Sequence, residues 1–148
     1  MAKIIRAEHY RWNVPLKEYK TEGTGFRHVT RQTLLGEADG EERLNFITRY
    51  FEVQPGGYSS LERHEHPHVV VIIRGEGEVV LENRVERVRL HDCVYISPHT
   101  FHQFHATGDD ALGFLCMVDR ERDRPQLPRD EDVERLSTNP AVRARIRT

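Results

Sequence analysis

Residues 64–77 read HEHPHVVVIIRGEG, and this stretch decides the fold. The run from His68 to Ile73 is rich in β-branched residues, which suit a pleated, half-buried strand better than a helix. It stops at Arg74-Gly75-Glu76-Gly77, a tight hairpin signal. Outward from it the same grammar repeats. Short apolar runs are expected as strands at Val79–Leu81, Val85–Leu90, Cys93–Ile96, Phe101–His105 and Ala111–Val118. Turns fall between them at Glu82-Asn83, His91-Asp92, Ser97-Pro98 and Gly108-Asp109-Asp110. Upstream, Arg43–Val53 alternates as a strand and is expected to end at the breaker Pro55-Gly56-Gly57, with a further strand in Phe26–Leu35.

Many short strands with no interleaved helices predict an all-β, antiparallel sandwich or barrel. The tail differs. Glu131–Leu136 reads as a short helix, and Asn139-Pro140 supplies an N-cap and first-turn proline for a second, Ala141–Ile146. The expected organisation is an N-terminal extension with its first strand or strands (1–42), a barrel (43–118), and a C-terminal loop with short helices (119–148).

The chain has 148 residues, 37% of them hydrophobic and 31% charged, enough for one domain with a real core. Twenty-two basic and 24 acidic residues leave a net charge of −2, which supplies no general field for nucleic acid or membrane. The longest apolar run, Val69–Ile73, is too short to cross a bilayer, and the N-terminus shows no apolar stretch of signal length. Two cysteines, Cys93 and Cys116, are too few for a disulfide framework, so a reducing cytoplasm is expected. Both are expected as buried free thiols, Cys93 as core.

Histidine breaks the ordinary pattern. Of nine, seven lie between His64 and His105. On a strand, His64 and His66 share one face, and His68 continues that parity. His102 follows the Ser97-Pro98 turn. Neutral imidazole is the commonest transition-metal ligand, and such a set leaves coordination positions open for substrate. His9, His28, His91, His99 and His105 are expected in turns or at the surface. Tyr10, Trp12 and Tyr19 are expected to cover the barrel or a dimer contact.

These residues resemble the two motifs of the cupin superfamily. Of the first, G(x)5HxH(x)3–4E(x)6G, the chain shows Gly57, His64-Glu65-His66 and Gly77. The second, G(x)5PxG(x)2H(x)3N, corresponds to His91–His102, with Pro98 and His102 surviving. The resemblance implies a double-stranded antiparallel β-barrel of jelly-roll type with a central metal. The chain also departs from it. Gly57 stands one residue early, Val70 occupies the position of the usual glutamate ligand, and His91, Ser97, His99 and Ala106 replace motif residues. The implied ligands are therefore His64, His66 and His102, with His68, water or substrate completing the set.

Further stretches are similar to one group of manganese-dependent cupins, the methylsulfurylases of sulfur salvage. They include Arg49–Val53, Leu61–His66, His102-Gln103-Phe104, Gly113–Cys116 and the tail Arg122–Pro128. Ile73 departs from that group, where a histidine is expected. The similarity implies transfer of a methylthio group from 1-methylthioxylulose 5-phosphate to glutathione or another thiol, leaving 1-deoxyxylulose 5-phosphate. Cys116 is then the candidate catalytic thiol. Arg49, turned inward by the parity of Ile47, Phe51 and Val53, is the candidate phosphate partner, and Gln103 a further substrate contact. Arg63, Arg74 and a lid at Arg120–Arg124 are weaker candidates. Manganese is the implied divalent ion, with Fe, Ni, Co or Zn as alternatives, and the barrels are expected to pair as homodimers. Two other readings stay open: an iron-dependent three-histidine dioxygenase, and a non-catalytic cupin that binds metal or a small ligand.

Overall fold

A computed structural model describes residues 2–148. Among them run eleven strands and two helices. The strands are β1 (Ala7–Glu8), β2 (Arg11–Trp12), β3 (Leu16–Glu18), β4 (Arg27–Leu35), β5 (Phe46–Tyr58), β6 (His68–Arg74), β7 (Glu76–Leu81), β8 (Arg84–Arg89), β9 (Cys93–Ile96), β10 (His102–Ala106) and β11 (Leu112–Asp119). The helices are α1 (Asp130–Leu136) and α2 (Pro140–Arg145). The all-β expectation holds. One curled antiparallel sheet runs β8-β7-β10-β5-β11-β6-β9, and β4 joins β5 with β3 outside it.

The long strand β5 joins the two halves of the curl. Along Phe46–Val53 it pairs with β11 on one side and β4 on the other. It does not end at Pro55-Gly56-Gly57 as expected. Gly56 takes φ +77°, the chain bends, and pairing resumes at Tyr58 against Arg27 and His105. A glycine in the left-handed region here acts as a bend within a strand rather than as its terminator.

Alternation on β5 feeds two different layers. Ile47, Phe51 and Val53 turn into the barrel and join Val70, Ile72, Phe104, Leu112 and Phe114 in the core. Tyr50 and Glu52 lie on the opposite face, yet both are buried. The N-terminal hairpin covers them: Trp12 packs on Tyr50 with ring centroids 4.6 Å apart, and Arg11 pairs with Glu52 at 3.0 Å. Arg74 also pairs with Glu52 at 3.0 Å, and the Tyr50 hydroxyl donates to the same oxygen. The expectation that Tyr10 and Trp12 cover the barrel is met.

The β6–β7 hairpin requires its glycines. Gly75 has φ +66°, and a Cβ there meets the Ala111 carbonyl oxygen at 2.2 Å; a Cβ on Gly77 meets that of His105 at the same distance. The tail packs a second cluster, in which Leu136, Val142 and Ile146 cover Leu61, Val80 and Phe101. As the sequence predicts, Asn139 caps α2 through its side chain, with Pro140 in the first turn. No helix among the described residues is long and apolar enough to cross a membrane.

Two side-chain expectations fail. Cys93 is exposed on the edge strand β9 rather than in the core. His105 is buried, because β10 lies in the middle of the sheet and is covered by the tail: its Nε2 bonds the Gln103 Oε1 at 3.0 Å.

Candidate metal centre and substrate cavity

Four imidazoles converge at one end of the barrel, all buried: His64, His66, His68 and His102. Their position departs from expectation in one respect. His64 and His66 are not on a strand but in a bend between the Glu62–Arg63 bridges and β6, which His68 opens. The bend is pinned from both sides. The Asp123 carboxylate accepts from the backbone N–H groups of Glu65 and His66, and the His64 carbonyl accepts from His99 N–H at 2.6 Å. A fixed turn thus brings the two rings together where strand parity was expected to. Their centroids are 4.7 Å apart, and His64 and His68 stack at 4.4 Å.

His64, His68 and His102 each offer one nitrogen within 4.8 Å of the other two. The Nε2 atoms of His66 and His68 face each other at 3.0 Å. His102 Nδ1 is taken by the Thr100 carbonyl at 2.9 Å, and His66 Nδ1 by Asp123, so in both rings Nε2 is left toward the cluster. Burial holds the His102 imidazole down to about 4 and pushes His68 well below the usual imidazole range; in His68 the neighbouring His102, His64 and Arg49 add to the effect. Rings kept neutral carry the lone pairs that a metal requires. The donor set suits a divalent metal ion.

Beside the rings lies Glu62, 7% exposed. Its carboxylate meets His64 Nε2 at 3.3 Å, accepts from the Ser60 hydroxyl at 2.9 Å and pairs with Lys20. Burial alone raises a carboxyl, but the His64 contact and the Lys20 ammonium outweigh it and hold Glu62 well below the carboxylate range. Tyr19 adds its hydroxyl to Ser60 at 2.9 Å and its ring to Phe51.

The rings open onto a cavity of about 690 Å³, the size of a small-metabolite site. Cys116 lies in its wall. Its Sγ is 3.6 Å from His68 Nδ1 and 3.6 Å from Arg49 Nη2. Burial pushes the thiol up, partly offset by the Arg49 charge, so it stays protonated at neutral pH. Arg49 does point inward, its guanidinium 5.0 Å from the Phe51 ring centre.

Three candidates sit elsewhere. Gln103 is fully buried against the tail: its amide donates to the Ser59 and Arg147 carbonyls and accepts from Arg147 N–H and His105. Every polar atom is engaged and none faces the cavity. Arg63 stacks on Phe101 and reaches Gln126, while Arg74 is bound by Glu52 and Asp110. The segment proposed as a lid does reach the site, since Arg122, Asp123 and Arg124 line the cavity. Glu62, Tyr19, Lys20, Arg31 and Asp123 were not legible as site residues. Glu62 and Asp123 fell within stretches already singled out, next to His64 and in the tail, but lacked a motif of their own.

A family model described as a cupin domain matches residues 49–118. A 1-methylthio-D-xylulose 5-phosphate methylsulfurylase from Rhodospirillum rubrum is 49% identical over 137 residues, covering 91% of this chain and 85% of that one. Among solved structures, a cupin 2 conserved barrel domain protein from Rhodopseudomonas palustris superposes with a TM-score of 0.90 at 42% identity, over 99% of this chain and 100% of that one. A cupin 2 domain-containing protein from Halorhodospira halophila gives a TM-score of 0.78 at 54% identity, over 97% and 94%.

Proposed function

We propose, from the premise that this chain belongs to the cupin family, that it is a metal-dependent enzyme removing the methylthio group from 1-methylthioxylulose 5-phosphate. The observation that carries the reading is the 49% identity to the Rhodospirillum rubrum methylsulfurylase over 91% of the chain. His64, His66, His68 and His102 would hold the ion, for which manganese is the inferred species. A divalent ion held there supplies positive charge against which a substrate carbonyl and its enolate form are stabilised.

This chain's own residues do the rest. Arg49 binds the anionic end of the substrate, and the aromatic wall of Phe51, Phe104 and Phe114 keeps water from the reacting carbon. Cys116 holds a proton on its sulfur beside His68 Nδ1. The reaction balances with a thiol acceptor such as glutathione. The carbon–sulfur bond breaks and its electron pair stays on carbon 1, which takes the thiol proton. The acceptor sulfur then joins the methylthio sulfur as a disulfide, so carbon is reduced and sulfur oxidised.

A homodimer fits the outward face of the sheet, where Val69 and Tyr95 stand opposite each other and both are exposed. Two free cysteines fit a cytoplasmic setting.

The test is elemental analysis of untagged protein, followed by incubation with the methylthio sugar phosphate and glutathione. Near-stoichiometric manganese and release of 1-deoxyxylulose 5-phosphate are expected. Dominant iron with oxygen uptake and no such product would overturn the reading in favour of a dioxygenase.

A further inference from the structure

Arginine is concentrated on one wall of the cavity. Arg49 stands opposite Thr33 in the β4–β5 ladder and Arg31 opposite Phe51, two residues along, so both side chains leave the same face of the sheet. Arg122 reaches the same wall from the segment after β11. The Nε of Arg31 and the Nε of Arg49 are buried without a hydrogen-bond partner. Arg122 meets Glu37 at 4.0 Å, the outer limit of an ion pair. Its guanidinium is held below the usual range by burial first, then by the charges of Arg49 and Arg31. Arg122 Nη1 donates only long bonds, to the Asp119 and Arg120 carbonyls at 3.4 and 3.3 Å. Three like charges sharing a partly desolvated wall, with the Nε donors of Arg31 and Arg49 unpaired, destabilise the free protein. A dianion placed among them removes the repulsion and satisfies the donors, and the guanidinium fork matches phosphate oxygens.

We propose that Arg31, Arg49 and Arg122 together form a phosphate-monoester subsite, with the Cys116 sulfur lying between it and the imidazole cluster. This rests on the enzymatic reading above and extends it from one arginine to a three-part clamp that sets substrate orientation. Cys116 Sγ touches Arg49 and His68 at the same 3.6 Å, so the two ends of the site are separated by the width of one sulfur. A short phosphorylated sugar spans that gap. Its phosphate lies on the arginines and its carbonyl end at the rings.

The test is calorimetric titration of the metal-loaded, full-length protein with ribulose 5-phosphate, which lacks the methylthio group, and with ribulose. Wild type is expected to bind the phosphorylated sugar about 100-fold more tightly. Arg31→Gln and Arg122→Gln are each expected to lower that preference about tenfold, with metal content unchanged and the melting temperature equal to or above that of wild type. Arg31→Lys, which keeps the charge on a strand position, is expected to fall between. Inorganic phosphate should compete with ribulose 5-phosphate in wild type and lose that ability in the glutamine variants. Failure of wild type to prefer the phosphorylated sugar, or an undiminished preference in both glutamine variants, overturns the proposal. Turnover of the methylthio substrate is a separate readout. Its absence alongside a preference lost in the variants refutes the reaction and leaves the subsite standing.

Discussion

His66 Nδ1 lies 2.5 Å from a carboxylate oxygen of Asp123, 57 residues further along the chain. Asp123 fixes the ring's tautomer and aims Nε2 at the cluster, and it also holds the backbone of the bend. Asp123→Asn keeps the size of the side chain but removes its charge. Metal affinity is expected to fall about 10- to 100-fold, read by competition with a chromogenic chelator, with the fold intact. An unchanged affinity would reduce Asp123 to a loop anchor.

His68 offers a nitrogen within 4.8 Å of those of His64 and His102. His64→Ala, His68→Ala and His102→Ala are each expected to yield protein with less than a tenth of the wild-type metal content by elemental analysis. Full occupancy in any one of them removes that residue from the ligand set. Circular dichroism confirms that the barrel persists.

Cys116→Ser replaces the sulfur with a smaller, less acidic group in the same wall. Turnover is expected to drop about 100-fold while metal content holds, because the thiol beside His68 no longer holds a transferable proton. A variant as active as wild type assigns Cys116 to packing.

Gln103 predicts the opposite pattern. Gln103→Ala leaves the Arg147 carbonyl and N–H and the Ser59 carbonyl without their partner. A loss of about 2 kcal/mol in urea unfolding is expected, with KM unchanged. A raised KM at unaltered stability would return Gln103 to the substrate.

His105 gives the metal-free protein an acid limit. Burial holds its imidazole down to about 3, helped by the Arg145 and Arg147 charges. The unfolded chain protonates this ring near the ordinary value of about 6.5, so between these two pH values unfolding takes up a proton. Stability is therefore complete above that window and falls as the pH drops through it. His105→Gln is expected to lower the slope of stability against pH by up to about 1.4 kcal/mol per pH unit, followed by denaturant melts.

The barrel was legible because strand and turn chemistry repeat locally: each β-branched run and each Gly or Asn-Gly-like break carries its own signal. The histidines were legible because four of one residue type in two short stretches are conspicuous. Asp123, Arg31 and Glu62 were not, because single charged residues look solvated until folding brings distant partners to them, His66 to Asp123 and Lys20 to Glu62. Gln103 misled for the reverse reason. It neighbours His102 in sequence, but successive residues on a strand point to opposite faces, so a ligand's neighbour turns away from the cavity. Cys93 misled because nothing local says that β9 is an edge.

The cavity is walled by both ends of the chain: residues 18–22 on one side and 122–127 on the other, around a ring cluster carried by the barrel. The rings themselves come from the barrel, while much of the cavity mouth comes from the flanks. Changes in the two flanking segments can reshape the cavity mouth while the rings stay in place, although Arg31 and Arg49 leave part of the substrate wall on the barrel strands β4 and β5. Each flank keeps one tie to the rings, Asp123 through His66 and Lys20 through Glu62 and His64, so a swapped segment would still have to answer to the metal.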